Sequence, residues 1–298
     1  MGRKRRGRPV HGWFVLDKPL GMTSAQAVGK IRWAFNAAKA GHAGTLDPMA
    51  TGILPIAMGE ATKVVSAAMD GKKAYRFTIH WGEERDTDDA EGQIVGESQD
   101  RPTPDQIKDT LPLFTGLTEQ VPPIYSAIKV GGTRAYDLAR SGDVPKLKAR
   151  LIMIDELTLL TCPDTDHAVL EMICGKGTYV RGVARDLGRH LGCLGHVSEL
   201  RRVRVGPFDE SVAFLLDKLE DMGHKGALDD LLLPVEAALA DIPAVPVTGP
   251  EADRLRFGQA IRVQHSVEGT VYATAEGRPV ALAKIRAGEV RPVRVFNL

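Results

Sequence analysis

The chain is poor in cysteine. Its 298 residues hold three, Cys162, Cys174 and Cys193. The number is odd and no C-x-x-C pair occurs, which argues against a disulfide framework or a thiolate metal centre. Three small core residues in a reducing, cytoplasmic setting are what remains. Long apolar runs are missing too. Nothing approaches the roughly 18 residues that a membrane helix needs, and no apolar segment of signal-peptide type follows the basic N-terminus. The chain has no GxxxxGK[ST] and no GxGxxG, so a nucleotide cofactor is not indicated. The GxSxG elbow and HExxH are absent as well. The eight histidines lack metal-ligand spacing; His190 and His196 read as surface or packing residues.

What is present is ordinary for a globular protein: 43% hydrophobic and 26% charged residues. The length suits one large domain, or one large and one small. Net charge is only +1, but its distribution is uneven. Residues 1–65 carry ten Lys/Arg against three Asp/Glu, and residues 176–204 carry seven against two. Residues 83–109 carry ten Asp/Glu against three Lys/Arg. Such segregation can build a basic face for a polyanion, unless folding intermixes the signs again.

Residues 1–10 read as a flexible basic tail. "GWFVLDK" is a short strand, followed by a helix with Thr23 or Ser24 as its cap and Gly41 as its stop. "GILPIAMG" is a short buried strand. "AYRFTIHWG" alternates Tyr75, Phe77, Ile79 and Trp81 against Arg76, Thr78 and His80, a strand pattern. The acidic stretch to about residue 110 reads as a surface loop. "AVLEMICG" and "RRVRVGPF" read as further strands. Between them "TYVRGVARDLGRHLG" reads as a helix with a basic stripe of Arg181, Arg185 and Arg189. Residues 216–241 form an acidic, leucine-rich helical connector, and beyond residue 246 short alternating runs indicate a small β-rich domain.

One acid stands out. Asp47 sits in "AGHAGTLDPMATGILP" among small and apolar residues. Pro48 restricts it to extended backbone, glycines allow close approach of a ligand, and His42 lies on the same loop. Asp-Pro is also a common turn, and the residues alone leave both readings open.

"GHAGTLDPMATGILPIAMGEATK" (41–63) resembles the signature loop of the TruB family of tRNA pseudouridine synthases. So do, in the same order, "LDKPLGMTS" (16–24), "AYRFTIHWGEERDTDDAEG" (74–92), "PPIYSAIKVGGTRAYDLARSG" (122–142), "KGTYVRGVARDLG" (176–188) and "HVSELRR" (196–202). The resemblance implies a mixed α/β pseudouridine-synthase fold with a mostly antiparallel central sheet. The catalytic domain would span 11–245, with an RNA-gripping segment at about 122–150, and 246–298 would be a PUA-like RNA-binding domain. It implies isomerisation of uridine-55 in the tRNA T-loop by base flipping, without cofactor or metal, by a monomer with no obligatory protein partner.

Asp47 would be the essential carboxylate, as nucleophile or base, with Arg181 its ion partner. Tyr75 would stack on the target base and Leu200 pack on its other side. His42 would fill the space that the flipped base leaves. Lys18 would support the loop or contact phosphate, and Tyr179 would contact substrate or pack under Arg181. The alternative is a tRNA-binding folding chaperone without chemistry.

Overall fold

The computed structural model describes residues 7–143, 145–222, 226–264 and 268–298. It divides into two compact units. The first is built from 1–48, 53–71 and 205–298, the second from 49–52 and 72–204. The strand Ala50–Met58 passes from one unit into the other.

The first unit is organised around the strand Gly12–Lys18, buried along nearly its whole length. Trp13, Phe14, Val15 and Leu16 are at most 1% exposed, each contributing about 1.5–3 kcal/mol of burial. The Trp13 indole N–H donates to the Val235 carbonyl at 3.1 Å, so its one polar atom is satisfied. The helix Ser24–Ala34 is capped by Thr23, whose side chain and that of Gln26 form a reciprocal capping box. It ends earlier than the glycine at 41 suggested. Asn36 takes a left-handed φ of 46° and turns the chain into a short strand, Ala40–His42, paired with Ile56–Met58.

Of the expected basic tail, residues 1–6 lie outside the described residues and 7–10 are held in place. Arg8 donates to the Phe35 carbonyl and pairs bidentately with Asp229, and Val10 is buried. The expected helical connector is only partly helical. Helix Leu216–Met222 gives way to tighter 3₁₀ turns at Gly226–Leu231 and Val235–Leu239; residues 223–225 lie outside the described residues.

The C-terminal portion is the expected PUA-like β-rich module. Its five strands run in the order Ala244–Pro246, Gly269–Ala275, Arg278–Arg286, Glu289–Val295, Ile261–Arg262, with the helix Gly249–Arg256 beside them. Its own core includes Val245, Leu255, Val271, Val280, Ile285 and Val290. Phe296 leaves that core and joins the cluster around Trp13, Ile53 and Phe208.

The second unit is a mostly antiparallel sheet. Lys73–Trp81 pairs with His167–Cys174, that strand with Arg150–Thr161, and that one with Gly116–Gln120. Gly195–Val205 adds a parallel partnership with residues 50–52. The alternation read from the sequence holds for Phe77, Ile79 and Trp81, all at most 1% exposed. Helix Val180–His190 turns Val180, Val183, Ala184 and Leu187 inward. Gly188 lets it approach the returning chain, since a Cβ there would stand 2.5 Å from the Gly195 nitrogen.

The acidic stretch is not a plain loop. It contains the hairpin Glu83–Arg85/Ile94–Glu97 and the helix Pro104–Thr110. Of the cysteines, Cys174 and Cys193 are buried, and burial pushes both thiols up to about 11. Cys162 is only half-buried, so it is not a core residue as expected.

Candidate active site

The seven expected site residues fall into two groups. Lys18, His42 and Asp47 belong to the first unit; Tyr75, Tyr179, Arg181 and Leu200 belong to the second.

Asp47 is half-buried on a stretch without regular structure. The backbone on either side of it is fastened. Before it, the Leu46 N–H donates to Ser24 Oγ at 2.8 Å, and Ser24 Oγ donates to the Leu46 carbonyl at 2.9 Å. After it, the Pro48 carbonyl accepts from the Gly21 N–H at 2.8 Å and from Lys18 Nζ at 3.4 Å. Lys18 also donates to the carbonyls of Pro19 and Met22 at 2.9 and 2.8 Å, and the residue is fully buried. A buried ammonium is costly unless its donors are used; here it is spent on gathering three carbonyls, one of them next to Asp47. Ser24, which the sequence offered only as a helix cap, is a loop clamp. His42 lies on the strand Ala40–His42, registered with Ile56, and is half-buried.

In the second unit Tyr75 sits near the start of Lys73–Trp81, paired with Met172. It is half-buried, unlike the aromatic residues further along its face. Leu200 is 7% exposed and is registered with Ala50, three residues after Asp47. Below that pairing Gly52 takes φ +99°, and a Cβ there would be 2.2 Å from the Arg202 carbonyl oxygen. Only glycine fits this approach.

Tyr179 precedes the helix Val180–His190, and its backbone is gripped on both sides by Gln120. The Tyr179 N–H donates to Gln120 Oε1 at 2.9 Å, and Gln120 Nε2 donates to the Tyr179 carbonyl at 3.0 Å. The Arg150 guanidinium lies 5.0 Å from the Tyr179 ring centroid.

Arg181 is 5% exposed. Its Nη1 lies 3.1 Å from Asp89 and donates to the Thr87 carbonyl at 2.8 Å, while Nη2 donates to the Tyr125 carbonyl at 2.9 Å. One helical turn on, Arg185 pairs with Asp88 at 2.9 Å and donates to the Val121 carbonyl. Arg189 pairs bidentately with Glu84. The basic stripe expected on this helix is therefore not a solvated face. Two of its three members are buried, and all three are answered by the acidic segment. Folding intermixes the signs here because a buried guanidinium needs a carboxylate partner. Burial raises Asp88 to about 6, against the opposing pull of Arg185 and Arg181. Asp88 also holds a left-handed φ of 60°. Asp88 and Asp89 are the functional candidates that the sequence reading passed over; their one local signal is the "DTDDAEG" turn, which reads equally as a solvated loop.

Comparison with known proteins gives this geometry a family. Residues 32–180 match the model for the TruB family pseudouridylate synthase N-terminal domain, and residues 181–240 match the tRNA pseudouridylate synthase B C-terminal domain. The chain is 57% identical to tRNA pseudouridine synthase B of Rhodopseudomonas palustris, over 100% of this chain and 84% of the relative. It is 50% identical to the protein of the same name from Rhodospirillum rubrum, over the whole of both. Among solved structures, the fold is shared with a chain of a Cbf5-Nop10-Gar1 complex (TM-score 0.74, 24% identity, 100% of this chain and 90% of that one). It is shared equally with one of an H/ACA RNP bound to a substrate RNA containing 2′-deoxyuridine (TM-score 0.75, 23% identity, 100% and 92%). The chain belongs to the TruB family of pseudouridylate synthases.

Proposed function

We propose that this chain isomerises uridine to pseudouridine in tRNA, at position 55 of the T-loop, with Asp47 as the essential carboxylate. The relatives that share half or more of its residues carry the name tRNA pseudouridine synthase B. The observation that carries the role of Asp47 is the fastening of Leu46 and Pro48 by Ser24, Gly21 and Lys18. A reacting carboxylate gains from being held in position before substrate arrives.

The reaction breaks the C1′–N1 bond and forms C1′–C5. The proton on C5 leaves to solvent and N1 gains one, so atoms and electrons balance without an oxidant or an energy source. Asp47 acts as nucleophile or base. Arg181 is its ion partner: a guanidinium carries five N–H donors, so one anchored by Asp89 can address a second carboxylate. Tyr75 stacks on the uracil and Leu200 packs against its other side. The target base is taken out of the loop stack, and His42 fills the space it leaves. Lys18 supports the loop, and Tyr179 contacts the substrate strand. Residues 122–150 grip the stem-loop, and 246–298 bind RNA as a PUA-like domain. The chain works as a monomer without cofactor.

The test is tritium release from unmodified tRNA labelled with 5-³H-uridine. Wild type releases tritium, Asp47→Asn releases none, and both bind tRNA. A tRNA with cytidine at position 55 gives no release. Binding by wild type without release would overturn the enzymatic reading in favour of a tRNA-folding role. Undiminished release by Asp47→Asn would remove Asp47 from the chemistry.

A further inference from the structure

Within the second unit the fold assembles a group of side chains that the reaction does not use. His80 lies near the end of Lys73–Trp81, Glu83 opens Glu83–Arg85, and His196 is the second residue of Gly195–Val205. One ring nitrogen of each histidine and one carboxylate oxygen of Glu83 lie within 4.8 Å of one another. The histidine spacing in the sequence gave no hint of this, because His196 lies 113 residues from Glu83 and reaches it only through the sheet.

Three features make this more than a chance approach. First, His196 is 2% exposed and its Nδ1 lies 3.0 Å from the Glu83 carbonyl oxygen. A carbonyl only accepts, so Nδ1 carries the proton and Nε2 presents its lone pair, the orientation that metal-ligating histidines adopt. Second, among the described residues the His80 ring makes no hydrogen bond; it lies against two other imidazoles, 5.1 Å from His196 and 4.7 Å from His167 between centroids. Third, Arg85 engages Glu83 Oε2 at 2.7 Å, which fixes the position of the carboxylate.

We propose that His80, Glu83 and His196 bind a divalent transition ion of the zinc type, with water completing its coordination. Two imidazoles and one carboxylate suit Zn²⁺ and its first-row neighbours rather than Mg²⁺ or Ca²⁺. Zn–N distances of about 2.0–2.1 Å require the three donors to draw together by about 1 Å, within reach of ring rotations. The ion would tie the ends of three strands at the root of the segment that continues into Asp88 and Asp89. It takes no part in the isomerisation, and the inference stands apart from that reading.

The full chain, carrying no polyhistidine tag and stripped with a chelator, is titrated with Zn²⁺ against a chromophoric chelator. Melting temperature is followed in parallel. Wild type binds one equivalent, and Zn²⁺ raises its melting temperature. His80→Ala and Glu83→Gln, both at half-buried positions, each weaken binding at least about tenfold and abolish the shift. His190→Ala, outside the cluster, changes neither. Equal zinc binding by wild type and the His80→Ala/Glu83→Gln double variant overturns the site. So does the absence of any binding by wild type. Preference for Mg²⁺ or Ca²⁺ over Zn²⁺ overturns the assigned class of ion.

Discussion

Asp89 and Arg181 meet at 3.1 Å with side chains only 4% and 5% exposed, so each offsets part of the other's cost of leaving water. Replacing Asp89 with alanine takes one carboxylate away from a buried guanidinium. The expected cost is about 3–5 kcal/mol, read by urea denaturation. If Arg181 is the partner of Asp47, tritium release falls as well, while tRNA affinity changes little. A cost below about 1 kcal/mol would show that the pair is not structural.

The neighbouring carboxylate gives a pH signature. Burial raises folded Asp88 from an ordinary 3.8 to about 6. Between those values the folded state binds more protons than the unfolded one, so this group's contribution makes stability fall as pH rises from about 4 to 6 and flattens above. Asp88→Asn cannot titrate. The stability of wild type relative to Asp88→Asn should therefore decline across that window. A relative stability that rises there would contradict the assignment.

Ser24→Ala removes both hydrogen bonds that pin the Leu46 backbone. It leaves buried peptide groups to be resatisfied, at a cost of about 1–3 kcal/mol. A loosened Asp47 should lower kcat at least tenfold with KM for tRNA little changed. A loss confined to KM would place the effect in RNA binding.

Gly52→Ala must push its new methyl against the Arg202 carbonyl from a left-handed backbone. The expected destabilisation exceeds about 2 kcal/mol, read as a drop in melting temperature. Gly131→Ala also has a positive φ but meets nothing within 4 Å, and it should cost less. Equal effects would mean that the close approach is not what requires glycine at 52.

Much of this was legible in the sequence. Alternation alone placed Phe77, Ile79 and Trp81 on a buried face, and helical spacing placed Val183, Ala184 and Leu187 inside. The quoted motifs were sufficient for the family. What the residues could not reveal were pairings between segments distant along the chain. The arginines at 181, 185 and 189 have the spacing of a solvated stripe, and only the approach of a segment some hundred residues earlier turns two of them into buried ions. Ser24 reads as a cap because its partner, Leu46, is 22 residues away. Lys18 was expected to support the loop or contact phosphate, but its burial was not legible, because the Pro48 carbonyl it also reaches lies 30 residues on.

The position of Phe296 in the cluster around Trp13 bears on how the chain is made. On the ribosome residues 72–204 emerge as one continuous run, and with 49–52 already present their sheet can close early. The unit bearing the Asp47 loop draws on segments far apart along the chain, and its core is completed only with Phe296. Val15, Ile53, Ala57 and Val64 are on hand early to cover Trp13, whereas Phe208, Val235, Leu239 and Phe296 come last; apolar surface left open until then is what favours aggregation in a chain still being made.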